Sequence, residues 1–123
     1  MERLLGESTL IDGHNDLMRH YHACKDHCPR GPEAYDISSR TTGHTDIPRW
    51  RQGRLSAQLL NAGGADEDED KPTLEGSLKG LAFVRNLVAL HPDDLALARN
   101  SQQVRSAGKS GRIAILLSLE HPG

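Results

Sequence analysis

Aromatic side chains are almost missing from this sequence: one Trp, two Tyr and one Phe, 3% of 123 residues. That scarcity removes the stacking platforms on which single-strand nucleic-acid binders rely. Positive charge is not in excess either, since 15 Lys and Arg face 17 Asp and Glu, for a net charge of -2 and a pI near 6.4. A nucleic-acid partner calls for a basic face and is not expected. Cysteine is represented only by Cys24 and Cys28, too few for a disulfide scaffold. No stretch approaches the roughly 18 apolar residues of a membrane-spanning helix. Between Met1-Glu2-Arg3 and Gly6-Glu7 only Leu4 and Leu5 are apolar, so no secretory leader is expected. These absences point to a cytoplasmic, bacterial-type protein. Apolar residues are also sparse, at 36% with a mean hydropathy of -0.59. Average soluble domains carry about 45–50% with glycine counted. The 12 glycines narrow the gap but bury little surface.

What the sequence does have begins at Thr9-Leu10-Ile11-Asp12-Gly13-His14-Asn15-Asp16-Leu17, an apolar run ending in His-x-Asp. Thr9, Leu10 and Ile11 are strand formers, and Gly13 gives the strand an exit. The spacing predicts a first strand over 8–12, with the ligand candidates just past its end. Side chains two apart on extended backbone share a face, so His14 and Asp16 can converge on one ion. An imidazole nitrogen and a carboxylate oxygen suit zinc, with bonds of roughly 2.0–2.2 Å. A capping or core role is the plainer alternative for an isolated His-x-Asp.

Residues 17–42 show no sustained period and several breakers, which predicts a long loop with one short helix near 17–24. Loops of this length in compact domains are commonly functional or mobile. A helical turn is expected over 47–51 and a second strand over 54–60. Ala65-Asp66-Glu67-Asp68-Glu69-Asp70 reads as a solvated acidic connector, because it lacks the glycine and closing glutamate of a calcium loop. Next comes the clearest helix, with Leu74, Leu78, Leu81, Val84 and Val88 as its apolar stripe. Asp70 or Thr73 can cap its start, and His91-Pro92 ends it. Leu95-Ala96-Leu97 is expected to be extended, and Ser101 to cap a second helix over 102–107. Ile113-Ala114-Ile115-Leu116-Leu117-Ser118-Leu119 is nearly all apolar, as in a parallel strand buried on both faces. The order β–loop–β–α–short β–α–β predicts an α/β fold that opens like a barrel.

Glu120 follows this last strand, where an unpartnered buried carboxylate would be costly. By itself its plainer reading is a turn residue pointing to water. His20, His22, Cys24, His27 and Cys28 form the densest set of soft ligands. Their spacing matches no zinc-finger pattern, and an exposed, redox-sensitive loop is the simpler reading. Asp12 has two readings, a carboxylate that orients a ligating imidazole or a cap on the strand exit. Lys109, Arg112 and the other basic residues are scattered.

The stretch Leu10–Leu17 closely resembles the first-strand signature of the membrane (renal) dipeptidase family of zinc peptidases. Gly43-His44-Thr45-Asp46-Ile47-Pro48-Arg49-Trp50-Arg51-Gln52-Gly53 is similar to that family's next segment. Gly111-Arg112-Ile113-Ala114-Ile115-Leu116-Leu117-Ser118-Leu119-Glu120 resembles the strand that delivers its metal-bridging glutamate. These matches come in the family's order and span nearly the whole chain.

The resemblance implies a (β/α)8 barrel of the metal-dependent hydrolase type, which usually needs about 250 residues. Residues 1–123 then correspond to the N-terminal part of a single barrel domain, broken off after the strand that carries Glu120. It further implies two zinc ions per complete active site, with His14 and Asp16 on one ion and Glu120 bridging both. Asp12 would stand behind the ligands, and His44 would shape the approach to the pocket. Zinc would activate water for attack on the peptide bond of a dipeptide substrate. The family's other zinc-binding histidines, its substrate-binding histidine and arginine, and a late aspartate would lie beyond Gly123. Two departures stand out. His121-Pro122-Gly123 replaces the usual Gly-Gly-His, and Gln58-Leu59-Leu60-Asn61 replaces a Gln followed by an aromatic pair. A non-catalytic or merely metal-binding remnant of the same ancestry is the alternative, and self-association into a homo-oligomer is compatible with either. Amidohydrolase barrels of other kinds more often carry His-x-His on the first strand, which Asp16 argues against.

Overall fold

The computed structural model describes residues 8–19, 36–63 and 73–120, together with Leu4. Four strands form one parallel sheet: β1 (Leu10–Asn15), β2 (Leu55–Asn61), β3 (Leu95–Leu97) and β4 (Ile113–Ser118). Their order across the sheet is β1-β2-β4-β3, every neighbouring pair being parallel. Three helices connect them: α1 (Ile47–Gln52), α2 (Leu74–Leu90) and α3 (Ser101–Lys109). No described helix is long and apolar enough to cross a membrane.

β1 runs further than the sequence predicts, through Asn15, so His14 lies inside the strand and not past its end. The reason is a bulge. Asp12 pairs with Gln58 and Asn15 with Leu60, so three steps on β1 match two on β2. Such an irregularity bends a strand and re-aims its side chains while letting pairing continue. Buried Gln58 ties the two strands at this point, its Nε2 donating to the Asp12 carbonyl at 3.3 Å.

α1 starts at Asp46, whose Oδ1 accepts the backbone N–H of Arg49 at 2.9 Å. Pro48 costs nothing in this first turn, where its missing N–H has no partner to lose. Ile47 and Trp50 turn inward. The chain then reaches β2 through Gly53 and Arg54, the latter in the left-handed region at φ 54°.

α2 has the length expected, and Val84 and Val88 of the expected stripe are buried with Leu81 packed against the core, but the first turns bury another face. There Leu74 and Leu78 are exposed, while Gly76, Ser77 and Gly80 are buried. Close approach decides the contact. A Cβ on Gly80 would lie 1.7 Å from the Ala62 carbonyl oxygen, so this end of the helix packs by its smallest residues and leaves Leu74 and Leu78 outside. Thr73 is the N-cap, its hydroxyl accepting from Gly76 N at 3.0 Å. For α3 the cap is Asn100, one residue before the Ser101 expected, with Asn100 Oδ1 accepting from Gln103 N at 2.9 Å.

The core is two-sided. Leu17, Ile37, Trp50, Leu60, Val84, Leu87, Leu95, Ile113 and Ile115 belong to the larger cluster, beneath α1 and α2. Ala57, Ala98, Val104, Ala107 and Ala114 make a smaller one beneath α3. β4 shows the alternation directly, Ile113 and Ile115 joining the first and Ala114 the second. Only its first half is buried on both faces. Leu117 and Leu119 are exposed, contrary to the fully buried strand expected.

Candidate metal centre

The C-terminal ends of β1 and β4 bring Glu120 against His14 and Asp16, which lie more than a hundred residues earlier in the sequence. His14 Nε2 lies 3.2 Å from Asp16 Oδ1 and 3.6 Å from Glu120 Oε2. One ligand atom from each of the three falls within 4.8 Å of the others, the only such trio of His, Cys, Asp or Glu among the described residues. Two ligands bonded to a tetrahedral zinc at about 2.0–2.1 Å are roughly 3.3 Å apart, close to what the trio already shows. All three side chains are a third to a half exposed, so an ion and solvent can reach them. The donor set is one imidazole and two carboxylates, hard and borderline ligands that fit zinc.

Burial pushes the Asp16 carboxyl up, but hydrogen bonds from Asn61 and His14, with the charges of His14 and Arg19, outweigh it. The net result holds Asp16 below the ordinary carboxylate range, which keeps it ionised and ready to ligate. Asp12 contacts His14 through the backbone: Asp12 Oδ1 accepts the His14 N–H at 3.1 Å. This bond lies inside the bulged stretch of β1 and reaches His14 through its main chain.

Sequence reasoning passed over the polar frame around the trio. Asn61 Nδ2 donates to Asp16 Oδ1 at 2.9 Å, and Asn61 Oδ1 accepts the N–H groups of Gly63 and Glu120 at 2.9 and 3.1 Å. Gly63 has no room for a side chain, since a Cβ there would lie 2.3 Å from the Glu120 carbonyl oxygen. Asn15 reaches across to the 40s loop, its Nδ2 donating to Thr45 Oγ1 at 3.1 Å. The one visible signal was Asn61 itself, a polar residue where a buried strand ends.

The segment around Asp46 is a lock for the loop beside the site. Asp46 is fully buried; its Oδ2 accepts the Thr41 N–H at 3.0 Å and pairs with Arg49 Nη1 at 3.2 Å. Arg49 in turn donates to the carbonyls of Thr41 and Gly43. His44 is exposed and does not join the trio. Burial raises the Asp46 carboxyl, yet the N–H groups of Arg49 and Thr41 and the Arg49 charge bring it below its ordinary value. A depressed carboxylate stabilises the fold above the unfolded value of about 3.9 and loses that contribution as pH falls through the folded value. Asp46→Asn is therefore expected to cost roughly 2 kcal/mol at neutral pH. Its unfolding curve should begin to approach that of the wild type near pH 4 and converge on it only as pH falls through the lower, folded value. Urea unfolding from pH 7 to pH 2.5 reads both.

His20, His22, Cys24, His27 and Cys28, the acidic connector 65–70 and the tail 121–123 lie outside the described residues.

With the fold and the trio in view, the class is a parallel α/β sheet of the barrel type, with candidate ligands at the C-terminal ends of its strands, where such enzymes place their chemistry. A profile of the membrane dipeptidase family (Peptidase family M19) matches residues 1–122, and the chain belongs to that family. Dipeptidase ataJ of Aspergillus terreus is 31% identical over 130 residues, covering 97% of this chain and 30% of its own length. Dipeptidase verJ of Clonostachys rogersoniana is 28% identical over 128 residues, covering 96% and 32%. The chain thus spans about a third of these relatives. A metallo peptidase from Rhodobacter sphaeroides, solved with a phosphinate mimic of the dipeptide L-Ala-D-Ala, superposes with a TM-score of 0.71 at 17% identity. It covers 91% of this chain and 38% of its own, and at that identity it supports the fold.

Proposed function

We propose that residues 1–123 form the metal-binding N-terminal part of a zinc-dependent dipeptidase barrel. The observation that carries this is the gathering of His14, Asp16 and Glu120 at one mouth of the sheet in a member of this family. His14 and Asp16 would hold one ion, and Glu120, with two oxygens, would bridge it to a second. Zinc held there would supply Lewis acidity, lowering the pKa of water and polarising the scissile carbonyl. The chain's own residues fix the donors: the β1 bulge aims His14, and Asn61 holds Asp16. Dipeptides are the substrate class, in keeping with the relatives' names and the dipeptide mimic in the Rhodobacter sphaeroides structure.

The third of the relatives' length that the chain spans favours a second reading for the chain by itself, metal binding without catalysis. Three ligands are fewer than a dinuclear site needs. The isolated chain with Cys24→Ser and Cys28→Ser is therefore expected to bind fewer than two zinc ions and to leave Gly-D-Ala intact. Equilibrium dialysis with metal analysis, run beside a ninhydrin assay, checks both. Hydrolysis abolished by His14→Ala would show that the chain assembles a whole site, for instance by self-association.

A further inference from the structure

β2 is the strand between the two that supply the trio, paired with β1 on one side and β4 on the other. Its last residue, Asn61, stands opposite Ser118 and is 6% exposed. Three hydrogen bonds meet on this one amide. The nitrogen donates to the Asp16 carboxylate, and the oxygen accepts from the backbone of Gly63 and of Glu120. One trio member is thus held by its side chain and another by its main chain, from a single buried group.

We propose that Asn61 is the positioning residue of this metal site. The inference rests on the trio being a metal site and adds what gathers it. The chemistry calls for an amide. An ionised carboxylate needs a donor, whereas two backbone N–H groups need an acceptor, and a side chain of this length that offers both is asparagine. Aspartate would lose the donor, and leucine both. By using one lone pair of Asp16 Oδ1, the amide fixes the carboxylate's rotamer and leaves its remaining oxygen sites to a cation. The bond to Glu120 N sets where the β4 end leaves the sheet, and Gly63 lets it pass that close. Freezing both groups beforehand removes part of the ordering cost of ion binding. Outer residues that orient ligands are typically worth 10–100-fold in metal affinity.

The test is cobalt(II) titration of the 123-residue chain, followed by visible absorption in a Cys24→Ser/Cys28→Ser background. The signal counted is the part that His14→Ala removes. Asn61→Ala is expected to weaken this binding about tenfold at a temperature where circular dichroism shows it folded. Asn61→Ser, which retains a short acceptor for the Gly63 N–H but falls short of Asp16, is expected to weaken it similarly and covers the case in which the alanine variant does not fold. Val104→Ala, a truncation on α3 in the smaller core cluster, which holds neither Leu60 nor Ala62, should lower the unfolding midpoint and leave cobalt affinity unchanged. Wild-type cobalt affinity in either folded Asn61 variant, or an equal loss in Val104→Ala, would overturn the proposal and leave the metal site standing. Absence of any His14-dependent cobalt signal in the parent chain would overturn the metal site itself.

Discussion

Glu120→Gln, made in an enzyme whose barrel begins with this chain, is expected to cut dipeptide hydrolysis by more than about 10²-fold and to cost at least one bound zinc. Charge is what the substitution changes. Glu120 stands 3.6 Å from His14 and is half exposed. An amide of the same size keeps the shape but removes the charge that, in the proposed site, would offset two dications and hold them apart. Loss of a residue behind a ligand already costs 10–100-fold, so loss of a bridging ligand should exceed that. Asp16→Asn should follow the same course, with the first zinc lost before the second. His44→Ala is the internal comparison: exposed and outside the trio, it should change kcat/KM by less than about tenfold. Steady-state kinetics with metal analysis on the same preparations gives both readouts. Near-normal rate with two zincs in Glu120→Gln would make Glu120 a turn residue.

Gly80→Ala is expected to be the most damaging single methyl group among the described glycines. Its Cβ would lie 1.7 Å from the Ala62 oxygen, 2.8 Å from the Ala62 carbon and 3.1 Å from the Met18 methyl. The first two neighbours are backbone, at the point where β2 leaves the sheet toward the site, so neither can rotate away. α2 must move outward, loosening Val84, Leu87 and Val88 from the core. Overpacking of this kind costs about 1–3 kcal/mol, and a backbone obstacle puts the expected loss at or above the upper end. Helix propensity works the other way by about 1 kcal/mol, so a stabilised Gly80→Ala in urea unfolding would contradict the packing described. Because Ala62 adjoins Asn61, the same substitution should also weaken zinc binding.

How far the site was legible follows from what kind of group each residue carries. His14, Asp16 and Glu120 could be grouped in advance only because three matching segments stood in order; each alone reads as a cap or turn residue, and the fold brings the three together. Asn61 could not. A lone amide after a strand reads as any turn residue, and its worth lies in partners 45 and 59 residues away. The bulge at Gly13 and His14 was hidden for the same reason: pairing with β2 creates it, and local preference suggested an exit. On α2, periodicity found Val84 and Val88, which are in the core, but in the first turns it selected Leu74 and Leu78 where the sheet takes Gly76 and Gly80, because a helix approaches a carbonyl closely only where side chains are smallest. The α3 cap moved by one because Asn100 and Ser101 are both good caps and only the folded backbone separates them. Asp46 and Arg49 were legible as parts of a motif but not as a lock, whose bonds to Thr41, outside that motif, appear only in the folded loop.

The central claim is that one cation is held jointly by His14, Asp16 and Glu120. Anomalous diffraction at the zinc edge, from crystals of the chain grown with zinc, tests it most directly. The account predicts a peak within roughly 2.0–2.2 Å of His14 Nε2 and of oxygens of Asp16 and Glu120. Zinc found only on the His20–Cys28 segment, with the trio bare at saturating metal, would contradict it.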